Sequence, residues 1–122
     1  LNQAVIAEGS IIHAKKIERA IIGIRSRIGA NTEISNAVIM GNDFYESLED
    51  IVTQKAPTAM GIGKNCYIER AIVDKNVRIG NNVIIKGHSS LADAETDTYC
   101  IKDGIVVVKK NAYLPDGTQI GV

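Results

Sequence analysis

The chain has 122 residues, of which 45% are hydrophobic, and its formal net charge is zero. This length suffices for one domain with a buried core, so we predict a single domain over residues 1–122. Basic and acidic residues are balanced and dispersed, so no extended electropositive face is expected and we predict no nucleic-acid partner. No apolar run approaches the roughly 20 residues of a membrane span, and we predict no membrane partner.

The hydrophobic residues are mostly β-branched. Ile and Val dominate, whereas the chain has one Phe, four Tyr and no Trp. Because β-branched side chains suit a pleated surface, this composition favours strands over helices. Cys66 and Cys100 are too few and too far apart for a zinc site or a disulfide framework. We interpret both as small buried hydrophobes in a protein of a reducing compartment.

Aliphatic residues recur mostly six positions apart along the chain. The series is Ile6, Ile12, Ile17, Ile22, Ile28, Ile34, Ile62, Ile68, Val73, Ile79 and Ile85, and it returns at Val108, Leu114 and Ile120. Small or β-branched residues follow most of these four positions later: Ser10, Ile21, Ser26, Thr32, Val38, Cys66, Ile72, Val77 and Val83. Two inward positions in six residues indicate a short strand followed by a tight corner, not a helix or a long alternating strand.

Glycines and asparagines mark the predicted corners. Gly29, Gly63 and Gly80 directly follow inward aliphatic residues, and asparagines occupy corner positions where left-handed backbone is tolerated. Three such segments form one triangular coil, and stacked coils bury the aliphatic residues along a common axis. We therefore predict an all-β fold, a parallel β-helix of hexapeptide repeats. Where the spacing falls to five near Lys16, we expect a loose or irregular coil.

Two stretches interrupt the repeat. Residues 40–61 lack it and are predicted to form a long loop excursion, of a length that is usually either functional or disordered. Residues 88–104 include the acidic run from Asp93 to Asp97 and are predicted to be a surface segment with room for one helical turn. Neither stretch is predicted to be a second domain.

Lysines at corners are the residues best placed to bind a ligand. Lys75 and Lys110 both occupy the third position of a hexad, and each directly precedes an asparagine. A corner side chain points away from the core, so a solvated lysine is the simpler interpretation. Lys64 also precedes an asparagine, which indicates that the motif is partly structural. Ammonium groups brought together by coil stacking would nevertheless bind a phosphorylated ligand through charge-assisted hydrogen bonds.

The remaining candidates are two arginines and two histidines. Arg25 and Arg27 flank Ser26 and should point outward from one strand, as anion ligands or as interface residues. His13 and His88 are the only histidines, so one chain cannot supply a three-histidine metal site unless a trimer interface completes it. The chain has no nucleophile elbow, phosphate loop or glycine-rich nucleotide fingerprint, and we predict no catalytic residue and no metal ligand within it.

Several segments, taken in order, carry a family resemblance. They are residues 20–28 (AIIGIRSRI), 38–46 (VIMGNDFYE), 61–80 (GIGKNCYIERAIVDKNVRIG) and 103–112 (DGIVVVKKNA), the last followed by PDGT at 115–118. Together they resemble the C-terminal regulatory domain of ADP-glucose pyrophosphorylase, also called glucose-1-phosphate adenylyltransferase. The resemblance covers nearly the whole chain and implies that the β-helix is left-handed, an exception to the usual right-handed crossover.

The resemblance also implies a function. In that family a Rossmann-like nucleotidyltransferase domain makes ADP-glucose and pyrophosphate from ATP and glucose 1-phosphate with Mg²⁺, for glycogen or starch synthesis. The β-helix domain contributes to tetramer assembly and to allosteric control by phosphorylated metabolites. The chain begins at Leu1 within the apolar pattern, so we expect a catalytic domain upstream and an inactive fragment that binds no cofactor itself. The implied partners are that catalytic domain, further copies of the β-helix and a phosphorylated effector, in the cytoplasm or, in a plant, the plastid.

Two lysines match the family's effector site. Lys75, in VDKN, and Lys110, in VVVKKN, correspond to the basic positions that bind activator phosphate in the family. Lys109 is an additional neighbouring cation, which leaves open which lysine binds, and Arg25, Arg27 and Lys64 remain candidates for effector or interface contacts. The implied mechanism is that an activator phosphate bridges the lysines and the catalytic domain and binds the active arrangement more tightly.

Three other functions fit parts of the sequence. A hexapeptide-repeat acyltransferase would need a histidine base between trimeric β-helices, for which only His13 and His88 are available. A sugar nucleotidyltransferase of the GDP-mannose type would differ in its catalytic domain. A purely structural assembly module would bind no phosphate.

Overall fold

A computed structural model of the chain describes residues 2–43 and 59–122. Over these residues the chain forms fifteen β-strands and no helix, which confirms the predicted all-β class. The strands are β1 (Asn2–Ile6), β2 (Ile11–Ile12), β3 (Lys16–Ile22), β4 (Arg27–Ile28), β5 (Glu33–Ile39), β6 (Gly61–Ile62), β7 (Tyr67–Glu69), β8 (Ala71–Val73), β9 (Arg78–Ile79), β10 (Ile84–Lys86), β11 (Ala94–Glu95), β12 (Tyr99–Lys102), β13 (Ile105–Val108), β14 (Tyr113–Leu114) and β15 (Gln119–Ile120). The described residues contain no helix with the length and hydrophobicity needed to cross a lipid bilayer.

The strands stack as the coils of a three-sided solenoid. Strands β2, β4, β6, β9 and β14 form one parallel sheet, which we call the third face. A ten-stranded sheet supplies the other two faces, because its long strands β3 and β5 bend in the middle. The first face consists of the halves of β3 and β5 that precede the bend, together with β7, β10 and β15. The second face consists of the halves that follow the bend, together with β1, β8 and β13.

The predicted aliphatic series forms the core. The register pairs Ile17 with Ile34 and Ile22 with Ile39, so one coil takes 17 residues. Twelve members of the series are buried: Ile17, Ile22, Ile28, Ile34, Ile62, Ile68, Val73, Ile79, Ile85, Val108, Leu114 and Ile120. Ile6 and Ile12, at the start of the chain, are partly buried against them. The prediction that these side chains share one interior is confirmed.

The small or β-branched residues that were also predicted to point inward do so at two of the three corners. At the third corner this prediction is wrong. Five of its members are buried: Ser26, Thr32, Cys66, Val77 and Val83. By contrast, Ile21, Val38 and Ile72 face outward, and the alanine that precedes each of them is buried instead.

This difference arises because one corner is a residue shorter than the others. The corner from the first to the second face is turned by a single residue with positive φ, 47° at Arg19, 50° at Asn36 and 56° at Arg70. The five-residue spacing is therefore a regular property of this corner in successive coils. The loose coil expected near Lys16 is limited to one place, where the N–H groups of Lys15 and Lys16 both donate to the carbonyl of Thr32, at 2.9 and 3.4 Å.

Of the two interruptions, residues 88–104 contain an antiparallel hairpin. Strand β11 pairs with β12, and β12 pairs with β13, so the hairpin extends the second face beyond its last coil. The predicted helical turn is wrong because Thr96 closes a tight turn, its hydroxyl donating to the carbonyl of Tyr99 and accepting from the N–H of Tyr99, both at 3.0 Å. In the other interruption, 40–61, residues 44–58 lie outside the described residues, so the loop there stays a prediction.

The corner from the third to the first face is a column of glycines. A Cβ atom added to Gly29 would lie 2.6 Å from the carbonyl oxygen of Gly63, and one added to Gly63 would lie 2.5 Å from that of Gly80. Real Cβ atoms do not approach backbone atoms so closely. Glycine follows the inward aliphatic residue here because the next coil occupies the space of its missing side chain.

Candidate functional site

The predicted effector lysines lie on the corner from the second to the third face. Backbone hydrogen bonds stack successive coils there: Asn42 N–H donates to Ile24 O at 3.0 Å, and Asn111 N–H donates to Lys75 O at 3.0 Å. Between these two, Asn76 N–H donates to Gly41 O at 3.3 Å. We call this corner the lysine edge. In successive coils this edge carries the residue pairs Ile24–Arg25, Gly41–Asn42, Lys75–Asn76 and Lys110–Asn111, so Lys75 and Lys110 occupy equivalent positions in adjacent coils.

The local sequence explains why the lysines stand on the outside. Asn76 and Asn111, which follow the two lysines, adopt φ values of 60° and 64°, a left-handed conformation that asparagine tolerates better than most residues. The inward Val77 and Ala112 then return the chain to the core. Adjacent coils are separated by about 4.8 Å, so two ammonium groups on flexible stems can reach one anion.

Sequence reasoning missed Asp43, which contacts the lysine edge. Its Oδ1 lies 3.2 Å from the ammonium nitrogen of Lys75, and its Oδ2 accepts a hydrogen bond of 3.0 Å from the side-chain amide of Asn76. The N–H of Asp43 donates in return to Oδ1 of Asn76 at 2.9 Å. The pKa of Asp43 is lowered, first by the Asn76 hydrogen bond and then by Lys75, and the charge of Lys110 contributes as well.

Lys109 and Lys110 differ in what they contact. The ammonium group of Lys109 donates to Oε2 of Glu95 at 2.8 Å and to the carbonyl of Thr96 at 2.6 Å. The hydrogen bond from Lys109 lowers the pKa of Glu95, and Glu95 raises the pKa of Lys109. Lys109 thus holds the hairpin of β11 and β12 to the coil, whereas Lys110 is exposed on the lysine edge.

The structure separates the other cationic candidates. Arg25 lies on the lysine edge, where its Nε donates to Asn42 O at 3.0 Å and its own carbonyl accepts from Asn42 Nδ2 at 2.8 Å. Arg27 lies in β4 on the third face, so the two arginines do not point outward from one strand as predicted. Lys64 lies on the glycine corner, where its carbonyl accepts from Asn82 N–H at 2.9 Å. Of these three residues, only Arg25 shares an edge with Lys75 and Lys110.

A second surface feature is a row of outward-facing aliphatic side chains on the second face, of which Val5 and Ile21 are exposed and the other three are half-buried. The register places one outward residue of each coil beside the next, in the order Val5, Ile21, Val38, Ile72 and Val107. We call this row the apolar ladder. Val5 is 66% exposed and Ile21 is 54% exposed, although both are aliphatic. Sequence reasoning missed the ladder because it placed three of its members in the core.

Histidine and cysteine side chains are the remaining candidates for metal or acid–base chemistry. Residues 2–43 and 59–122 contain no group of three or more His, Cys, Asp and Glu side chains that could hold a metal ion. His88 is engaged at both ring nitrogens, with Ser90 Oγ 3.2 Å from Nδ1 and Gly121 O 3.3 Å from Nε2. Burial raises the pKa of Cys66, as expected for a thiol inside the core, and Cys100 is half-buried in β12.

Comparison with known proteins identifies the family. The GLGC left-handed parallel beta-helix domain family matches residues 1–119. The chain belongs to this family. Membership in the GLGC β-helix family confirms both the left-handed fold and the resemblance found in the sequence.

A curated relative of this GLGC β-helix is a plant protein. The glucose-1-phosphate adenylyltransferase small subunit, chloroplastic/amyloplastic, of Triticum aestivum is 44% identical over 124 residues, which cover 98% of the chain and 26% of the wheat protein. The chain therefore spans about a quarter of the length of the relative it matches.

Proposed function

We propose that this β-helix is the regulatory and oligomerisation domain of a glucose-1-phosphate adenylyltransferase. Such an enzyme makes ADP-glucose and pyrophosphate from ATP and glucose 1-phosphate for glycogen or starch synthesis. Its chemistry would belong to a separate nucleotidyltransferase domain that uses Mg²⁺, and the β-helix would be inactive alone. The regulatory role is supported by one observation, that Lys75 and Lys110 lie in adjacent coils of one edge.

The lysine edge supports binding of a phosphorylated effector. A phosphate group presents several oxygen acceptors, and two ammonium groups from adjacent coils can each donate to a different one. Because the side chain of Lys75 is 41% exposed, the interaction should be weak and sensitive to salt. An effector held here would favour the active enzyme if its phosphate also contacted the catalytic domain in that state alone.

The double variant Lys75→Ala with Lys110→Ala tests the effector site. We expect the 122-residue chain to bind inorganic phosphate with a Kd on the order of 1 mM, and the double variant to bind at least about tenfold more weakly, since both donors are lost. The measurement is a titration followed by ¹H–¹⁵N NMR at constant ionic strength.

Lys64→Ala is the matched control for this variant. Lys64 also precedes an asparagine at a corner but lies on a different edge, so its loss should leave the phosphate Kd unchanged. If the double variant bound phosphate as the wild type does, the assignment of Lys75 and Lys110 would be wrong. If the wild type bound no phosphate, the domain would be a structural assembly module.

The apolar ladder supports self-association through the second face. It runs across five coils, none of its five outward side chains is charged, and its flat sheet surface suits packing against the same face of a second copy. Sheets that pack face to face lie about 10 Å apart with their side chains interdigitated. We propose that this face forms a β-helix contact within a homotetramer.

Ile21→Lys should weaken this association. A lysine in the centre of the ladder would place a charge in a desolvated contact, and we expect sedimentation velocity to show a shift to a smaller species. Ile11→Lys is the control, because Ile11 is 52% exposed but lies on the third face. Equal sedimentation of the Ile21→Lys variant and the wild type would contradict a second-face interface.

The comparisons favour an adenylyltransferase over an acyltransferase, since the matching family is the GLGC β-helix and the wheat relative is a glucose-1-phosphate adenylyltransferase small subunit. The name of the wheat relative favours ADP-glucose over a GDP-mannose product. It also supports a plastid location if the chain comes from a plant; in a bacterium we expect the cytoplasm.

A further inference from the structure

The carboxylate of Asp43 occupies the place on Lys75 where an anion would bind. The lysine ammonium lies 3.2 Å from Asp43 Oδ1, a distance at which an ion pair forms. The charge of Lys110, in the next coil, also acts on this carboxylate. Asp43 therefore makes with the lysine edge the kind of interaction that a phosphate oxygen would make.

Asp43 is also held in position by a second residue. The side-chain amide of Asn76 donates to Asp43 Oδ2 at 3.0 Å, and Asn76 Oδ1 accepts from the N–H of Asp43 at 2.9 Å. Two hydrogen bonds therefore hold Asp43 in place. These bonds connect residues 33 positions apart in the sequence. An ordinary surface ion pair between flexible side chains lacks this restraint and contributes little. The Asn76 contacts reduce the entropy that the carboxylate must lose when it pairs with Lys75.

The neighbouring carboxylate of Asp74 has a different role. Its Oδ1 accepts a hydrogen bond of 2.7 Å from the backbone N–H of Lys75. Asp74 thus supports the corner, whereas Asp43 pairs with the ammonium group.

We propose that Asp43 is a built-in competitor of the phosphorylated effector, which holds Lys75 until a phosphate group displaces it. This inference rests on the proposed effector site and adds its regulation. Phosphate binding must break the Asp43–Lys75 pair or accept a carboxylate as a close neighbour, and either event reduces affinity. The edge therefore favours anions that carry more charge or more acceptors than one carboxylate, because these displace Asp43 more readily.

Asp43→Asn tests the competition in the 122-residue chain. The amide keeps an oxygen for the Asn76 hydrogen bond but removes the negative charge, so inorganic phosphate should bind about three- to tenfold more tightly than to the wild type. The titration uses ¹H–¹⁵N NMR at constant ionic strength. Asp116→Asn is the control: it removes the same charge near the glycine corner, where Asp116 accepts from Asn81 N–H, and should leave the Kd unchanged.

A direct measurement complements the variant. In the wild type, the ¹³C resonance of the Asp43 carboxyl should move as phosphate is added and should saturate with the Kd reported by the Lys75 amide. An Asp43→Asn variant with the wild-type Kd, or a carboxyl resonance that stays fixed while phosphate binds, would overturn the competition. The effector site itself would still stand if the Lys75→Ala and Lys110→Ala double variant lost binding, so the two proposals can fail separately.

Discussion

Replacing Ile68 by alanine should lower the free energy of unfolding by about 2–5 kcal/mol, the range for truncating a buried aliphatic side chain. Ile68 is fully buried on the first face, where the register places it between Ile34 and Ile85. Backbone hydrogen bonds join the coil of Ile68 to the coils on either side. These coils therefore cannot easily collapse into the cavity that the substitution leaves. Urea unfolding followed by circular dichroism would measure the change.

Ile11→Ala is the matched control for this loss. It removes the same atoms from a side chain that is 52% exposed on the third face, outside the proposed contact between copies, so it should cost less than about 1 kcal/mol. Equal destabilisation by the two substitutions would mean that Ile68 and Ile11 are buried to the same degree, contrary to the observed inward and outward positions.

Replacing Gly29 by alanine should also destabilise the fold strongly, by about 3 kcal/mol. The new Cβ would lie 2.6 Å from the carbonyl carbon and oxygen of Gly63, which are backbone atoms and cannot rotate away as a side chain could. Relief requires separating two coils and stretching the hydrogen bond from Gly29 N–H to Ile62 O, which is 2.9 Å long. The expected result is a lower melting temperature and faster amide exchange at Gly29.

Gly117→Ala separates the effect of crowding from that of backbone conformation. Gly117 has a φ of +78°, but a Cβ there would meet no atom within 4 Å. Its substitution should therefore cost only the strain of a left-handed alanine, about 1–2 kcal/mol. If Gly117→Ala were more damaging than Gly29→Ala, close approach of the coils would not explain the glycine column.

The repeat predicted the coil but not its unequal corners. Spacing alone cannot choose between Ala20 and Ile21 as the inward residue, because both are apolar and adjacent. Residue size offered a signal, since the smaller residue of each pair is an alanine in all three coils, at Ala20, Ala37 and Ala71. An inward alanine at a tight corner leaves room that an isoleucine would overfill, and this preference appears only when the coil length is known.

The candidate site was predicted only in part, because its residues come from coils whose adjacency the sequence does not show. Lys75 and Lys110 were recognised as corner residues, but the hairpin inserted between their coils hid the fact that they share an edge. Asp43 could not be placed because it follows the last regular residue before an interruption, and its partners come much later in the chain. Contacts between distant segments depend on which coils are adjacent, and sequence period does not determine this once a loop intervenes.

The hairpin of β11 and β12 has a further consequence for the edge of the second face. A stack of parallel coils exposes unpaired backbone groups on its last strand, which could template addition of another chain and lead to fibres. Here β12 runs antiparallel to β13, and the outermost strand β11 has two residues within an acidic run that includes Asp93, Glu95 and Asp97. A short, negatively charged terminal strand of reversed direction should discourage such growth on the second face.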